Sequence, residues 1–404
     1  MDVHSQINKN TKARILSIDI FRAITMLFMI FVNDLWTLSN IPEWLGHKPA
    51  DVDSLGLADV VFPAFLVIVG LSIPFAIKNR IKKGDDTKNL LIHIAERVFA
   101  LLLMGVYMVN FESINEEALI FNKYWWETLM AFAFVLIWNV YPENDGKQKL
   151  YNGLKFLGYA ILIFLAWIYE GGNVENPMWM QTHWWGILGL IGWSYLLCSL
   201  VYLFSGNNII AIGAAWMFFN LFNVAVFAGW LEFMIFIKPY IWIVGDGSMP
   251  AFTMAGVLAS TIYLNFSESK KPYTFIFIIV GMGLLSLVYG FGTRPFWGIS
   301  KIQATPAWVG ICIGISLLIY PLLFLVIDIF GKKDWAKIIK PAGTATLTCY
   351  LIPYFYYPII SLIGVYLPMS LRTGAIGLVK SMLFALFIIL ITGGLNRLGI
   401  RLKI

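Results

Sequence analysis

Apolar runs of about 20 residues recur along the 404-residue chain, separated by short polar stretches. Each run is long enough to cross a hydrocarbon core roughly 30 Å thick as an α-helix. The pattern predicts spans near 16–38, 57–77, 90–109, 125–141, 151–169, 184–204, 208–230, 249–266, 273–291, 303–329, 341–363 and 373–395. The segment 231–247 is the weak point, readable as re-entrant, interfacial or a short span, so eleven spans stand as the alternative to twelve. The expected fold is all-α: a polytopic membrane helix bundle forming a single domain over residues 1–404. No internal repeat is visible, and the longer loops (39–56, 110–124, 170–183 and 231–248) all fall on one side.

Composition agrees with the pattern. The chain is 59% hydrophobic and 13% charged, where a soluble domain of this size carries about 25% charge. The net charge of +6 matters less than its sorting: the two tails and alternate loops hold 19 Lys or Arg, and the opposite loops hold six (Lys48, Lys123, Lys238, Arg294, Lys301 and Arg372). The positive-inside rule then places both termini in the cytoplasm. The first span follows a polar tail without a small-residue cleavage site, so it reads as retained rather than as a signal peptide. Cys198, Cys312 and Cys349 lie inside predicted spans with neither metal nor disulfide spacing, and no metal is expected. P-loop, dinucleotide, HExxH and nucleophile-elbow patterns are absent. The basic loops read as ordinary flanks, so nucleic acid is not an expected partner. "GMGLLSLVYGFG" (281–292) reads as small residues that let helices approach closely.

Charged groups at bilayer depth are costly and each needs a reason. Asp19 and Arg22 sit three residues apart in the first span and share a helix face. They read either as a helix-end ion pair or as an entrance where Arg22 meets an anionic ligand. Glu96 and Arg97 pose the same choice in the third span. Lys380 reads as a snorkelling residue and Asp328 as structural. Of the histidines, His4 lies in the tail and His93 near an inner helix end. His183, in "MQTHWWGILG", reads as an aromatic-belt residue or a substrate contact.

The stretch "WLGHKPADVDSLGLADVVFPAF" (44–65) gathers His47, Asp51, Asp53 and Asp59 in a chain otherwise poor in charge. Asp59 opens a helix, where the dipole favours a carboxylate. Beside His47 it has a second reading, since a carboxylate fixes an imidazole's tautomer and stabilises its protonated form. Histidine suits proton transfer near neutral pH. Asn33 and Asp34 close the preceding span in "MIFVNDLW". Asn33 is a helix-end hydrogen bonder or a donor to an oxyanion. Asp34, Asp51 and Asp53 are candidate substrate contacts, the loop aspartates having a solvated face as their simpler reading.

"RILSIDIFRAITMLFMIFVND", a loop histidine, and "GLADVVFPAFLVIVGLSIPFAI" together resemble the heparan-α-glucosaminide N-acetyltransferase family, most of all its bacterial, amino-sugar branch. The resemblance is dense over roughly 14–110 and thinner through "ISKIQATPAWVG" and "GTATLTCYLIPYF". It implies an enzyme of a bacterial inner membrane that moves an acetyl group from cytoplasmic acetyl-CoA to an amino sugar on the far side. It maps the family's asparagine, histidine and aspartate onto Asn33, His47 and Asp59 as catalytic residues. Where the lysosomal members carry H-A-x-W-N-G, this chain has the longer "HKPADVDSLGLAD". The polyanionic donor would meet Arg22, Arg97 or the basic loop 78–88, with Asp19 beside Arg22, and its arm would thread a bundle whose helices Pro63, Pro74, Pro321, Pro353 and Pro358 interrupt. Expected partners are acetyl-CoA, the acceptor sugar and the bilayer, with a homodimer as an option. A secondary transporter for an amino sugar is the competing class, since twelve spans with kinked helices suit one equally well. A purely structural membrane protein ranks below both.

Overall fold

The computed structural model describes residues 15–404 except 144–145, 174, 239 and 268–271. The N-terminal tail with His4, Lys9, Lys12 and Arg14, and the loop pair Lys270 and Lys271, lie outside the described residues. The chain forms α1 (Leu16–Asp34), α2 (Leu57–Lys82), α3 (Thr87–Glu112), α4 (Lys123–Trp138), α5 (Gln148–Trp167), α6 (Ile187–Ser205) and α7 (Ile209–Phe227). It continues through α8 (Ser248–Ser267), α9 (Pro272–Trp297), α10 (Pro306–Phe324), the short α11 (Lys340–Thr344) and α12 (Thr346–Leu351), α13 (Pro353–Ile363) and α14 (Gly374–Arg397). A two-residue β-hairpin, β1 (Gly171–Gly172) against β2 (Pro177–Met178), sits in the loop between α5 and α6.

Eleven helical stretches among the described residues are long and apolar enough to cross a membrane, which makes this a polytopic helical membrane protein. α4 has 16 residues, about 24 Å at 1.5 Å per residue, yet it also connects the two faces. Lys123 at its start pairs with Glu116 in the loop after α3, and Asn139 at its end bridges to Leu402. Leu402 shares a cavity with Arg22 near the start of α1. Counting α4, twelve helical segments among the described residues run between the two faces, and residues 401–404 lie at the same face as the start of α1. The segment 231–247 does not cross: it folds as two 3-10 turns, Glu232–Ile237 and Val244–Gly247.

α1, α2, α8 and α10 form the buried centre, while α5, α7 and α9 turn most of their surface outward. Outward side chains such as Phe156, Trp167, Ile210, Phe277 and Val288 are apolar, as a lipid-facing surface requires, so the centre is held by close packing rather than by hydrophobic contrast. At the α2–α8 crossing a Cβ on Gly70 would lie 1.8 Å from the Thr253 carbonyl oxygen, and one on Gly256 would lie 2.0 Å from that of Val67. α9 and α10 meet in the same way at Gly290 and Gly310, which is the helix contact expected of the 281–292 stretch.

Two expectations change. Pro63 and Pro74 sit inside an unbroken α2; a membrane helix tolerates a proline where neighbours re-satisfy the freed carbonyl. Of the expected breaks only the one at Pro353 is found: the crossing 340–363 is interrupted at Ala345 and again at Ile352–Pro353, while Pro321 and Pro358 sit inside α10 and α13. Lys380 does not snorkel. Its Nζ donates to Asp34 Oδ2 at 2.6 Å and to Thr37 Oγ1 at 2.8 Å, joining α14 to the end of α1. Asp34 is 1% exposed, and Ser381 Oγ (2.5 Å) and Tyr357 OH (2.7 Å) also donate to it. At the other end of α1, Asp328 accepts from the Leu16 and Ser17 amides, both at 3.1 Å. This supplies acceptors for two of the amides that every helix start leaves orphaned.

Candidate active site

The polar loop 39–56 folds back over the head of α2, whose Asp59 is the third residue of the helix and 1% exposed. Its Oδ2 accepts from the Gly56 amide at 3.1 Å and the Lys48 amide at 3.2 Å. Its Oδ1 lies 2.7 Å from His47 Nδ1. The carboxylate is thus both a helix cap and the partner of the imidazole, and the two readings of Asp59 hold together. With Nδ1–H donated to the carboxylate, Nε2 is the ring position left to accept a proton. His47 is 51% exposed and lines a cavity of about 1010 Å³.

Asn33, at the end of α1, is in the wall of the same cavity. Its floor includes Trp308, whose Nε1 donates to the Asp59 carbonyl oxygen at 3.0 Å. Its roof is the 3-10 segment 231–247, where Trp242 Nε1 donates to Asp246 Oδ1 at 2.7 Å and Lys238 pairs with the same oxygen at 2.8 Å. Asp246 and Gly245 both adopt left-handed backbone (φ 52° and 60°), which folds this segment over the opening.

Lys301 is the neighbour that sequence reasoning did not assign. Its Nζ lies 3.1 Å from His47 Nδ1 and 3.5 Å from Nε2. Nδ1 has one in-plane position and the buried carboxylate takes it, so Lys301 acts as an adjacent charge rather than as a second partner of that atom. Burial pushes the Lys301 ammonium pKa down, and the charge of Asp59 pulls it back up. The available signal was a lone lysine in "ISKIQATPAWVG", immediately before the helix start capped by Thr305.

The other aspartates fall elsewhere. Asp53 joins two loops: its carboxylate accepts from the Ile299 amide at 2.7 Å and from Arg294 Nε at 2.9 Å. The Ile299 amide, with the Arg294 guanidinium, outweighs burial and holds its carboxyl below the usual carboxylate range. Ser300 Oγ and Gln303 Nε2 complete the seam by donating to the Ala50 carbonyl at 3.0 and 3.1 Å. This seam is what brings Lys301 to His47. Asp51 is exposed on the loop. Asp34 has the α14 partners described above. His183 packs its ring 6.0 Å from that of Trp185; the cavity wall there is formed by Trp184 and Trp185. None of these four lines the cavity at His47.

At the opposite face Arg22, Arg97, Arg401 and Lys403 line a second cavity of about 320 Å³. Arg22 donates to Asp19 at 3.2 Å, to the Gly343 carbonyl at 3.1 Å and to Ser72 Oγ at 2.5 Å. Arg97 stacks over the Tyr195 ring at 4.5 Å, and its Nε is buried without a hydrogen bond. The two cavities share Met29 and Ile187 as wall residues.

Residues 14–123 match a family model described as heparan-alpha-glucosaminide N-acetyltransferase, catalytic. This N-terminal stretch is therefore heparan-α-glucosaminide N-acetyltransferase-like. The chain is 36% identical over 97 residues to the heparan-alpha-glucosaminide N-acetyltransferase of Homo sapiens, covering 24% of this chain and 14% of the relative. It is 30% identical over 109 residues to the Mus musculus protein of the same name, covering 27% and 16%. The chain thus spans well under a fifth of the length of the curated relatives it matches. Asn33, His47, Asp59, Arg22 and Arg97 fall inside the matched stretch, while Lys301, Trp308 and Asp246 fall beyond it.

Proposed function

We propose that the chain is a membrane N-acetyltransferase that accepts the acetyl group of acetyl-CoA at its Arg22 face and delivers it to an amino sugar at its His47 face. The observation that carries this reading is the His47–Asp59 pair, which lies inside the stretch that matches the family model and opens onto a large cavity. The charge sorting of the loops supports a cytoplasmic Arg22 face, the side on which the donor is found. The residues there fit a phosphate-bearing molecule: four cations line one cavity, and the unmatched Arg97 Nε–H is a donor awaiting an acceptor. When bound, acetyl-CoA supplies an activated acetyl thioester.

The chain's own groups handle the amine and the charge. His47 Nε2 takes the proton that the attacking amine loses. The buried Asp59 carboxylate holds Nδ1–H and stabilises the imidazolium as it forms. The Asn33 amide and the Lys301 ammonium, which line the same cavity, are the donors available to a carbonyl oxygen gaining negative charge. Met29 and Ile187, which line both cavities, are the side chains that would have to move aside for the donor's arm to pass.

The test is purified protein in liposomes, with labelled acetyl-CoA on either side and a panel of amino sugars. Transfer is expected only with the donor on the Arg22 side, and His47→Ala is expected to lower it roughly 10²–10⁴-fold, as loss of a general base does. Near-normal turnover in that variant would remove the mechanism. Two cavities on either side of shared wall residues also suit the secondary-transporter reading, so labelled sugar without donor is the second arm: uptake without acetylation would favour transport.

A further inference from the structure

A third cavity, of about 480 Å³, opens between α1, α3, α4, α6 and α13. The His47–Asp59 chemistry does not use it. Two carboxylates line it: Glu112 at the end of α3 and Glu127 one turn into α4. Glu112 is exposed, but Glu127 is only 6% exposed. Among the described residues Glu127 makes no hydrogen bond or ion pair. The nearest cation, Lys123, is bound to Glu116 instead. The remaining walls include Trp36, Phe111, Tyr354 and Tyr357.

A buried carboxylate without a partner is expensive. A cavity that keeps one against aromatic walls is built for something that brings N–H donors and positive charge together. Rings favour a cation near their faces, and the carboxylate's unfilled acceptor positions favour a primary ammonium over a quaternary one. We propose that this cavity is a binding site for the protonated amine of a ring-sized molecule, with Glu127 as the counter-ion. Asn33, Met29 and Ile187 are common to this cavity and the one at His47. The site therefore holds the acceptor as its ammonium form beside the place where it must become a neutral nucleophile. In that assignment the inference rests on the acetyltransferase reading; the site itself does not.

The experiment is equilibrium binding of glucosamine to the full chain in nanodiscs without acetyl donor, with N-acetylglucosamine as the uncharged control. Wild type is expected to bind glucosamine and to bind N-acetylglucosamine at least tenfold more weakly. Glu127→Gln, which keeps shape and removes charge, is expected to weaken glucosamine binding roughly 10- to 100-fold. Met108→Trp, which fills the cavity from α3, is expected to abolish binding, so a misfolded Glu127→Gln still leaves a deciding variant. Gly213→Ala, where the added methyl meets nothing, is expected to bind as wild type does. Glucosamine affinity unchanged in Glu127→Gln and Met108→Trp, or absent from wild type, overturns the site. Acetyl transfer in the same preparations reads the other proposal separately: Glu127-dependent binding without transfer removes the reaction and leaves the site, and transfer with Glu127-independent binding does the reverse.

Discussion

Lys380→Met isolates the most buried ion pair. The wild-type Asp34 carboxylate is 1% exposed and receives three side-chain donors, of which only Lys380, at 2.6 Å, carries charge. Methionine keeps much of the lysine stem's volume but leaves the carboxylate with two hydroxyls. Removing one partner of a buried pair costs about 3–5 kcal/mol, because the remaining charge stays desolvated. The Asp34→Asn/Lys380→Met double variant removes that charge while Ser381 and Tyr357 still have an amide to bond. It loses only neutral-strength hydrogen bonds, about 1 kcal/mol each. Unfolding in mixed micelles followed by tryptophan fluorescence, across the four members of this cycle, measures the coupling directly. The reasoning fails if Lys380→Met lies within about 1 kcal/mol of wild type, or if the double variant is no more stable than Lys380→Met.

Three further outcomes are expected. Gly70→Ala places a methyl where the Thr253 carbonyl already sits, so it should lower the thermal midpoint by an overpacking cost of about 1–3 kcal/mol or more, whereas Gly213→Ala, which meets nothing, should not. Asp53 titrates lower in the folded chain than when unfolded; its loop seam is therefore fully present above the unfolded value of about 3.9 and is lost as pH falls through the folded value. Limited acid proteolysis near Lys301 should show that loosening in wild type, and Asp53→Asn should already be loosened at neutral pH. Arg97→Ala should weaken CoA binding roughly tenfold in a direct binding assay without lowering folded yield; unchanged affinity would return Arg97 to a packing role against Tyr195.

The crossings were legible because a bilayer demands long apolar runs, and even the 16-residue α4 falls close to its predicted position. The His47–Asp59 pair was legible because both residues lie within one short stretch, where a loop of 11 residues between them can fold back only locally. What could not be read are contacts made by packing distant helices. Nothing near Lys380 announces Asp34, 346 positions earlier, and nothing near His47 announces Lys301, which arrives through a seam fixed by Asp53. Asp53 itself looked like a substrate contact because a loop carboxylate has the same appearance whether it faces a ligand or a neighbouring loop. The proline reading held at Pro353 and failed elsewhere for a related reason: Pro63 and Pro74 sit in a helix packed on several sides, while the break at Ala345 has no proline of its own.

Of the crossings described, α1 is made before the others, yet many of its polar groups find their partners more than 300 positions later. Its opening amides wait for Asp328, Arg22 for the Gly343 carbonyl, and Asp34 for Tyr357, Lys380 and Ser381. During synthesis, therefore, the leading helix sits in the bilayer as an unfinished element whose last electrostatic need is met only when α14 inserts. A chain cut short before α14 keeps the Asp34 carboxylate without its ammonium partner, so the fragment carries the cost of an unpaired charge that the finished molecule does not.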